Sequence, residues 1–299
     1  MQAIILAAGY GTRLRPYTDI RPKPLFPVLN RPLLELLLAQ LQQCGCNRIV
    51  VNSHHLAAQI EAVVSSWPGV LYQFEPEILG TGGSLRRALA RLTDEPILVM
   101  NGDLYHQVDL PQVYQHHLLS KNKITLALHA CPRFNTVDVQ GDRVAGFGSS
   151  SADSLAFTGI HVVEPKTIAQ IPDHGFFHII DLYRVLAREG QIGYCRVDGS
   201  LWRDIGTPAD YLQLHAELLT EKGKCTWLID PAAHIGSQVV LQGWGCIGSG
   251  ATIGDRAQLS CCVVWDGAEV KPGSIHTQSI VTGYGEGMQP MEKAGLNNG

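Results

Sequence analysis

Charge and aromatic side chains are both scarce in this chain. Asp, Glu, Lys and Arg make up 17% of its 299 residues, and Phe, Trp and Tyr only 7%. Lys and Arg total 23 against 27 Asp and Glu, a formal net charge of -4, with no basic block or stripe. That absence argues against a nucleic-acid coat and against a protein held on an anionic membrane surface. No apolar run approaches the roughly 18 residues that span a bilayer, so neither nucleic acid nor membrane is an expected partner. The opening MQAIILAAGYGTRL has no basic n-region and no small-residue cleavage site, so it does not read as a signal peptide. No C-x-x-C pair occurs among the eight cysteines, and the adjacent Cys261 and Cys262 are poorly placed to bridge each other. Reduced, buried thiols in a cytoplasmic protein are the expectation. None of the twelve histidines has zinc-ligand spacing, and helix caps and surface positions are expected for them.

What is present is ample apolar material, 45% of the chain, and an excess of glycine, 31 residues. The length favours one large domain with an appendage, or two domains, over a single core. Residues 3–8 form a continuous apolar run, the pattern of a strand buried on both faces. Leu34, Leu37, Leu38 and Leu41 then mark a helix. Strand and helix patterns go on alternating: 48–52, 56–64, 70–74, 85–92 and 96–100. This predicts an α/β fold with an open, mainly parallel sheet and helices on both faces. Ligands bind such sheets beyond the carboxyl ends of the strands. Residues 8–13 and 101–103 therefore belong at one end, although about 90 residues separate them. Residues 123–163 read as a more antiparallel insertion, a lid or an acceptor-binding half. Residues 179–188 and 209–219 read as helices, the second opened by Thr207 and Pro208.

A different period starts near Ile235. Ile235, Leu241, Ile247, Ile253 and Leu259 recur every six residues, mostly followed by Gly and preceded two positions earlier by Gly or Ala. The register slips by one and resumes at Val264 and Val270. This is the hexapeptide pattern of a parallel β-helix, in which aliphatic side chains fill a narrow core and the corners admit only small residues. The predicted division is a domain over 1–225, a β-helix over 229–283, and a flexible tail over 284–299. It divides the glycines too: six lie in the loops that carry the chemistry, and eleven between residues 236 and 287.

Those loops begin at Leu6-Ala7-Ala8-Gly9-Tyr10-Gly11-Thr12-Arg13, followed by Arg21-Pro22-Lys23-Pro24-Leu25. A Gly-rich loop leaving a buried strand lets backbone N–H groups approach phosphate oxygens. Arg13 can grip two oxygens in a fork, and Lys23 adds a mobile point charge. The loop is neither G-x-x-x-x-G-K-[ST] nor G-x-G-x-x-G. Residues 80–83, Gly80-Thr81-Gly82-Gly83, would allow flat contact with a base and leave helix N–H groups free. Upstream of them, Glu75 and Glu77 read as exposed loop carboxylates, either one available to accept from a base N–H. Asp103 ends a strand beside Gly102, and Asp204 lies in Trp202-Arg203-Asp204-Ile205-Gly206-Thr207-Pro208.

Taken together, LAAGYGTRLRPYT with RPKPLFPV resembles the signature of the sugar-1-phosphate nucleotidyltransferases over roughly residues 1–220, and the hexapeptide stretch resembles the tails of longer members. The resemblance implies a Rossmann-like α/β domain with a mixed, mainly parallel sheet and a small C-terminal left-handed parallel β-helix. It implies transfer of a nucleotidyl group from an NTP to a sugar 1-phosphate, giving an NDP-sugar and pyrophosphate. It implies Mg2+ held by Asp103 and Asp204, with Arg13 on the leaving pyrophosphate and Lys23 on the transferring phosphate. Nucleotide binding falls to Leu6, Ala7, Ala8, Gly9, Gly11, Thr12, Arg13, Gly80, Thr81, Gly82, Gly83 and Asp103. Sugar binding falls to Asn135, Phe157, Thr158 and Gly159.

The chain departs from many members in residues 144–155, which carry no Lys or Arg to hold the sugar phosphate. Arg203 is an alternative cation. LAAG, rather than LAGG, leans toward a pyrimidine nucleotide. A catalytically silent nucleotide-sugar sensor on the same fold is the rival reading, and a hexapeptide acyltransferase with His234 or His276 as base is a third. Retention of Arg13, Lys23, Asp103 and Asp204 argues against silence. The exposed β-helix suggests self-association into a homo-oligomer.

Overall fold

Four segments of the first hundred residues pair side by side as parallel strands, and the three inner ones are buried on both faces, as their apolar runs predict. A computed structural model describes residues 1–148, 151, 153–221 and 223–283, so the tail expected over 284–299 lies outside the described residues. Strand Gln2–Leu6 lies between Arg48–Ser53 and Ile97–Asn101, and Val70–Phe74 adds at the outer side of Arg48–Ser53. Helices Leu33–Gln43, Ala57–Val64 and Gly80–Ala88 connect them. Leu34, Leu37, Leu38 and Leu41 are all buried, as their spacing predicts.

Beyond Ile97–Asn101 the sheet is mixed, as the resemblance implies, with more antiparallel pairing than expected. Leu155–Val163 pairs antiparallel with it and with Ile124–His129, and Ile192–Arg196 runs parallel to Ile124–His129. The hairpin Asn135–Gln140 and Arg143–Phe147 completes nine strands. The segment expected as a more antiparallel insertion is antiparallel, and it is built into the main sheet. Its polar turns break the helical period, but its strands still bury Val137, Val144 and Leu155 in the same core as Ile4 and Val99.

The chain divides into two compact units, and the border is not the linear one near residue 225. The first comprises Met1–Tyr10, Pro22–Leu25 and Leu33–Asp204. The second takes Gly11–Arg21, Phe26–Pro32 and the described residues from Ile205 onward. It contains the helix Pro208–Leu218, which Thr207 caps by accepting from the Asp210 N–H with Pro208 in the first turn.

After this helix come short strands in parallel stacks. Val240 pairs with Gln258, eighteen residues on, but Gly245 pairs with Cys262, seventeen on. This change is the one-residue slip in the aliphatic period. Ile247, Ile253, Leu259, Val264 and Val270 form a buried cluster with Ala251, Ala257 and Ala268. Ile235 departs from the expectation at 41% exposed. Its strand His234–Ile235 is the end strand of its stack, paired on one side only. Glycine after an aliphatic residue has a steric cause here: a Cβ at Gly254 would sit 2.5 Å from the Pro272 nitrogen of the next layer.

Candidate active site

Two aspartates a hundred residues apart meet because their segments form one ribbon. Trp202–Asp204 pairs antiparallel with Leu104–His106, setting Asp204 opposite Leu104 and so beside Asp103. Lys23, on the short turn Lys23–Leu25, reaches the same point. Its Nζ donates to Asp103 Oδ2 at 2.7 Å and to Asp204 Oδ1 at 3.2 Å. The lysine is only 6% exposed, and burying an ammonium is tolerable when its charge is paired in this way. Asp204 is mostly buried and Asp103 about a third exposed, so the cluster opens on the Asp103 side. Among the described residues, no group of three or more His, Cys, Asp or Glu gathers for a metal. The carboxylates here are two, both hard oxygen donors.

The turn that carries Asp103 is held tightly. Gly102 donates its N–H to Leu6 O at 2.8 Å, and a Cβ there would lie 3.1–3.2 Å from Leu6, Ala7 and Ile5. On the other side Gly159, at φ +78°, leaves room for Asn101, whose amide a Cβ would meet at 2.8 Å. The ladder of Leu155–Val163 is irregular between Phe157 and His161. That bulge leaves Thr158 O to accept from Trp202 Nε1 at 2.9 Å. Phe157, Thr158 and Gly159 are thereby tied to the ribbon that bears Asp204. Asn135 is placed otherwise, its Oδ1 accepting from the Cys131 N–H at the start of its own strand.

At the carboxyl end of Gln2–Leu6, Ala7 is buried and its N–H donates to Asn52 Oδ1 at 2.7 Å. The Asn52 amide donates to Glu75 Oε1 and to Ser84 Oγ, each at 2.9 Å, and Ser84 Oγ also donates to Glu75 Oε2. This network links the strand Gln2–Leu6 to the glycine helix. It also separates the two glutamates: Glu75 is fully buried and spent on Asn52, Gln73 and Ser84, whereas Glu77 is exposed. Leu6 and Ala8 are half-buried and Gly9 is exposed. Gly9 has no neighbour within 4 Å of a built Cβ, so packing does not explain that glycine.

The glycine helix itself corrects one expectation. Its N–H groups are not all free, because the helix starts at Gly80 and the glycines lie inside its first turns. Gly82 and Gly83 both donate to Phe177 O, and a Cβ at Gly82 would strike the Phe177 ring at 2.7 Å. Thr81 Oγ1 accepts from the Ile179 N–H. These residues join two helices by close backbone approach, which accounts for much of the glycine run. Gly11, Thr12 and Arg13 belong to the other unit, where Arg13 is exposed on the turn Thr12–Leu14 and Gly11 O accepts from Thr18 Oγ1.

Sequence reasoning missed Asn52 and the buried histidines. His106, His117, His129, His161 and His215 lie in the interior rather than at caps or on the surface. Burial pushes His106 and His215 down to about 4 and His161 to about 3. His129 packs edge-on against Trp202, with ring centres 4.8 Å apart. Burial lowers its pKa, Asp198 opposes that, and the nearby Arg203 and Arg196 lower it further. Of the expected cap roles, His178 provides one, accepting from the Ile180 N–H. Cys44, Cys46, Cys131, Cys195, Cys246, Cys261 and Cys262 are free thiols. No described helix is long and apolar enough to cross a membrane.

Comparison with known proteins places these residues in context. The family model described as nucleotidyl transferase matches residues 2–221. The mannose-1-phosphate guanylyltransferase of Mycobacterium tuberculosis is 29% identical over 298 residues, covering 92% of this chain and 82% of that protein. The N-acetylmuramate alpha-1-phosphate uridylyltransferase of Neisseria meningitidis serogroup B is 32% identical over 217 residues, covering 69% and 94%. In fold, the chain is similar to HddC from Yersinia pseudotuberculosis complexed with GMP-PN, with a TM-score of 0.63 at 24% identity, covering 73% and 99%.

Proposed function

Because the chain belongs to the nucleotidyl transferase family, we propose that it moves a nucleotidyl group from an NTP to a sugar 1-phosphate, releasing an NDP-sugar and pyrophosphate. The observation that carries this reading is the convergence of Lys23, Asp103 and Asp204 beside the carboxyl end of Ile97–Asn101. Ligands of open α/β sheets bind at that edge.

The reaction asks little covalent chemistry of the protein. An acceptor phosphate is already ionised at neutral pH, so no general base is needed, and catalysis reduces to alignment and charge neutralisation. Asp103 and Asp204 fit Mg2+, which takes one or two carboxylates and fills its remaining places with water and phosphate oxygens. When bound, the ion supplies charge neutralisation on the reacting phosphates. Lys23 holds the two carboxylates together and adds positive charge for the transferring phosphate. Arg13 takes the leaving pyrophosphate oxygens. Leu6, Ala8, Gly9, Gly11 and Thr12 line the triphosphate, with Asn52 fixing Ala7 from behind. Glu77, not the buried Glu75, is the carboxylate available to a base N–H. Thr158 and Gly159 border the sugar, together with Phe157 and Asn135, and Arg203 takes the sugar phosphate.

The aliphatic period and the 17- to 18-residue pairing offsets support a left-handed parallel β-helix for the strands after residue 226. Leu228, Ile229, Ile235 and Val240 lie exposed along its first layer, which supports self-association there. The free thiols agree with a cytoplasmic setting.

Pyrophosphate release tests the activity: four NTPs against a panel of sugar 1-phosphates, with Mg2+. We expect one NTP and one sugar class to dominate, and the choice between guanylyl and uridylyl transfer falls out of the same screen. No release with any pair would overturn the reading and favour a silent sensor. Light scattering at micromolar concentration tests self-association, and a monomer there refutes it.

A further inference from the structure

The segment Gly11–Arg21 carries Arg13 and belongs to the same unit as the strand stack. Its far end is fastened there twice. Arg21 Nη1 and Nη2 donate to Asp266 Oδ1 and Oδ2 at 2.7 and 2.9 Å, a fork that fixes the plane of the guanidinium. The same guanidinium lies 4.6 Å over the ring of Trp265. Burial alone would raise the Asp266 pKa, but Arg21 outweighs it and holds the carboxyl below its ordinary value.

Trp265 is itself immobilised. It is 1% exposed, with ring centres 4.8 Å from Phe26 and 6.1 Å from Tyr17. Its Nε1 donates to Tyr211 Oη at 3.2 Å, and Tyr211 Oη donates to Pro27 O. The backbone at this corner is fixed as well, since Trp265 N–H donates to Val281 O at 2.8 Å. A Cβ at Gly248 would lie 2.5 Å from the Asp266 nitrogen, so the layer below presses directly on the corner. The aliphatic period accounts for Val264 and Val270 but asks for neither an aromatic nor a charged residue between them. Trp265 and Asp266 instead meet Tyr17, Arg21 and Phe26 of the signature segment.

We propose that Asp266 and Trp265 are positioning residues for nucleotide binding: the corner of the strand stack holds Gly11–Arg21, and with it Arg13, in the conformation that meets the NTP phosphates. This rests on the role assigned to Arg13 above. The stack is then part of the reaction's machinery, and its contribution falls on the NTP rather than on the sugar 1-phosphate.

Steady-state kinetics in each substrate, with melting temperatures measured alongside, test the proposal. Asp266→Asn keeps the shape and removes the charge. We expect kcat/KM for the NTP to fall about tenfold or more, since small misplacements of binding groups are costly. The KM for sugar 1-phosphate should stay within about twofold. Arg21→Lys, which loses the fork but keeps the charge, should fall between wild type and Asp266→Asn. The exchange Arg21→Asp with Asp266→Arg should recover most of the NTP term lost in either single variant. Unchanged NTP kinetics in folded Asp266→Asn and Arg21→Lys, or equal losses in both substrates that track a lowered melting temperature, would overturn it. Arg13→Ala separates the two layers. If it keeps wild-type NTP kinetics, the role of Arg13 fails; if it is impaired while Asp266→Asn is not, only the tether fails.

Discussion

Replacing Lys23 by Met isolates the electrostatic logic of the acidic pair. The thioether stem fills nearly the same volume, so the main loss is the ammonium that Asp103 and Asp204 share at 2.7 and 3.2 Å. The two carboxylate oxygens then face each other across no more than about 6 Å. At an effective dielectric near 20, this repulsion is ~3 kcal/mol. Water reaches Asp103, whose side chain is 36% exposed, and screens part of it. A net loss of ~1–2 kcal/mol remains. For a chain of this size that is a fall of about 2–3 °C in melting temperature. A divalent cation replaces the missing charge, so Mg2+ should raise the melting temperature more in Lys23→Met than in wild type. The assay is a thermal melt of both proteins with and without Mg2+, without substrates. If the variant melts with wild type and Mg2+ shifts both alike, the carboxylates do not share a cation site and the reasoning fails.

Three other outcomes follow from the same geometry. Asn52→Ala strips donors from a fully buried Glu75 and frees the Ala7 N–H. Leaving such groups unpaired costs ~2–4 kcal/mol, which urea denaturation would read directly; an unchanged midpoint contradicts the network. Gly159→Ala must keep φ near +78° and crowd Asn101, costing ~1–3 kcal/mol. It should also lower turnover through the Asp103 turn, and wild-type kcat with wild-type stability counts against that coupling. The third concerns acid. His106, His161 and His215 have folded pKa values near 4, 3 and 4, below the ordinary 6.5. Between these values the unfolded chain binds more protons, so stability is complete above pH 6.5 and is lost as pH falls toward 4. His161→Phe should flatten that fall by up to ~1.4 kcal/mol per pH unit, measured by denaturant melts at pH 7, 6 and 5. An identical slope in the variant would contradict a neutral, buried His161.

Much of the fold is legible in the amino-acid sequence, for identifiable physical reasons. Continuous apolar runs mark doubly buried strands, so Gln2–Leu6 and Ile97–Asn101 stand out, as does the helix of Leu34, Leu37, Leu38 and Leu41. The slip after Leu259 is visible because each layer repeats the same aliphatic spacing, and it reappears as the shift from Ser260 to Cys262 in the pairing. The two aspartates stand out as motif residues. Their shared ribbon does not, because pairing of Leu104–His106 with Trp202–Asp204 depends on contacts a hundred residues apart. The buried side chains of Asn52, Glu75 and His161 are equally hidden, since polar residues inside a fold leave no periodic trace. Residues 80–83 mislead in part: glycines that suit a ligand also suit backbone packing, and Phe177 takes up two of their N–H groups. The linear boundary near residue 225 misses that Gly11–Arg21 and Phe26–Pro32 group with the strand stack, joined through Trp265 and Tyr211.

The central claim is that Asp103, Asp204 and Lys23 form the chemical centre of nucleotidyl transfer to a sugar 1-phosphate. Mass-spectrometric detection of the NDP-sugar, made from the best NTP and sugar 1-phosphate with Mg2+, tests it most directly by comparing wild type with Asp204→Asn. Wild type should give NDP-sugar and equimolar pyrophosphate, and the variant, still folded, should lose at least about a hundredfold. Wild-type product formation by folded Asp204→Asn would contradict the claim.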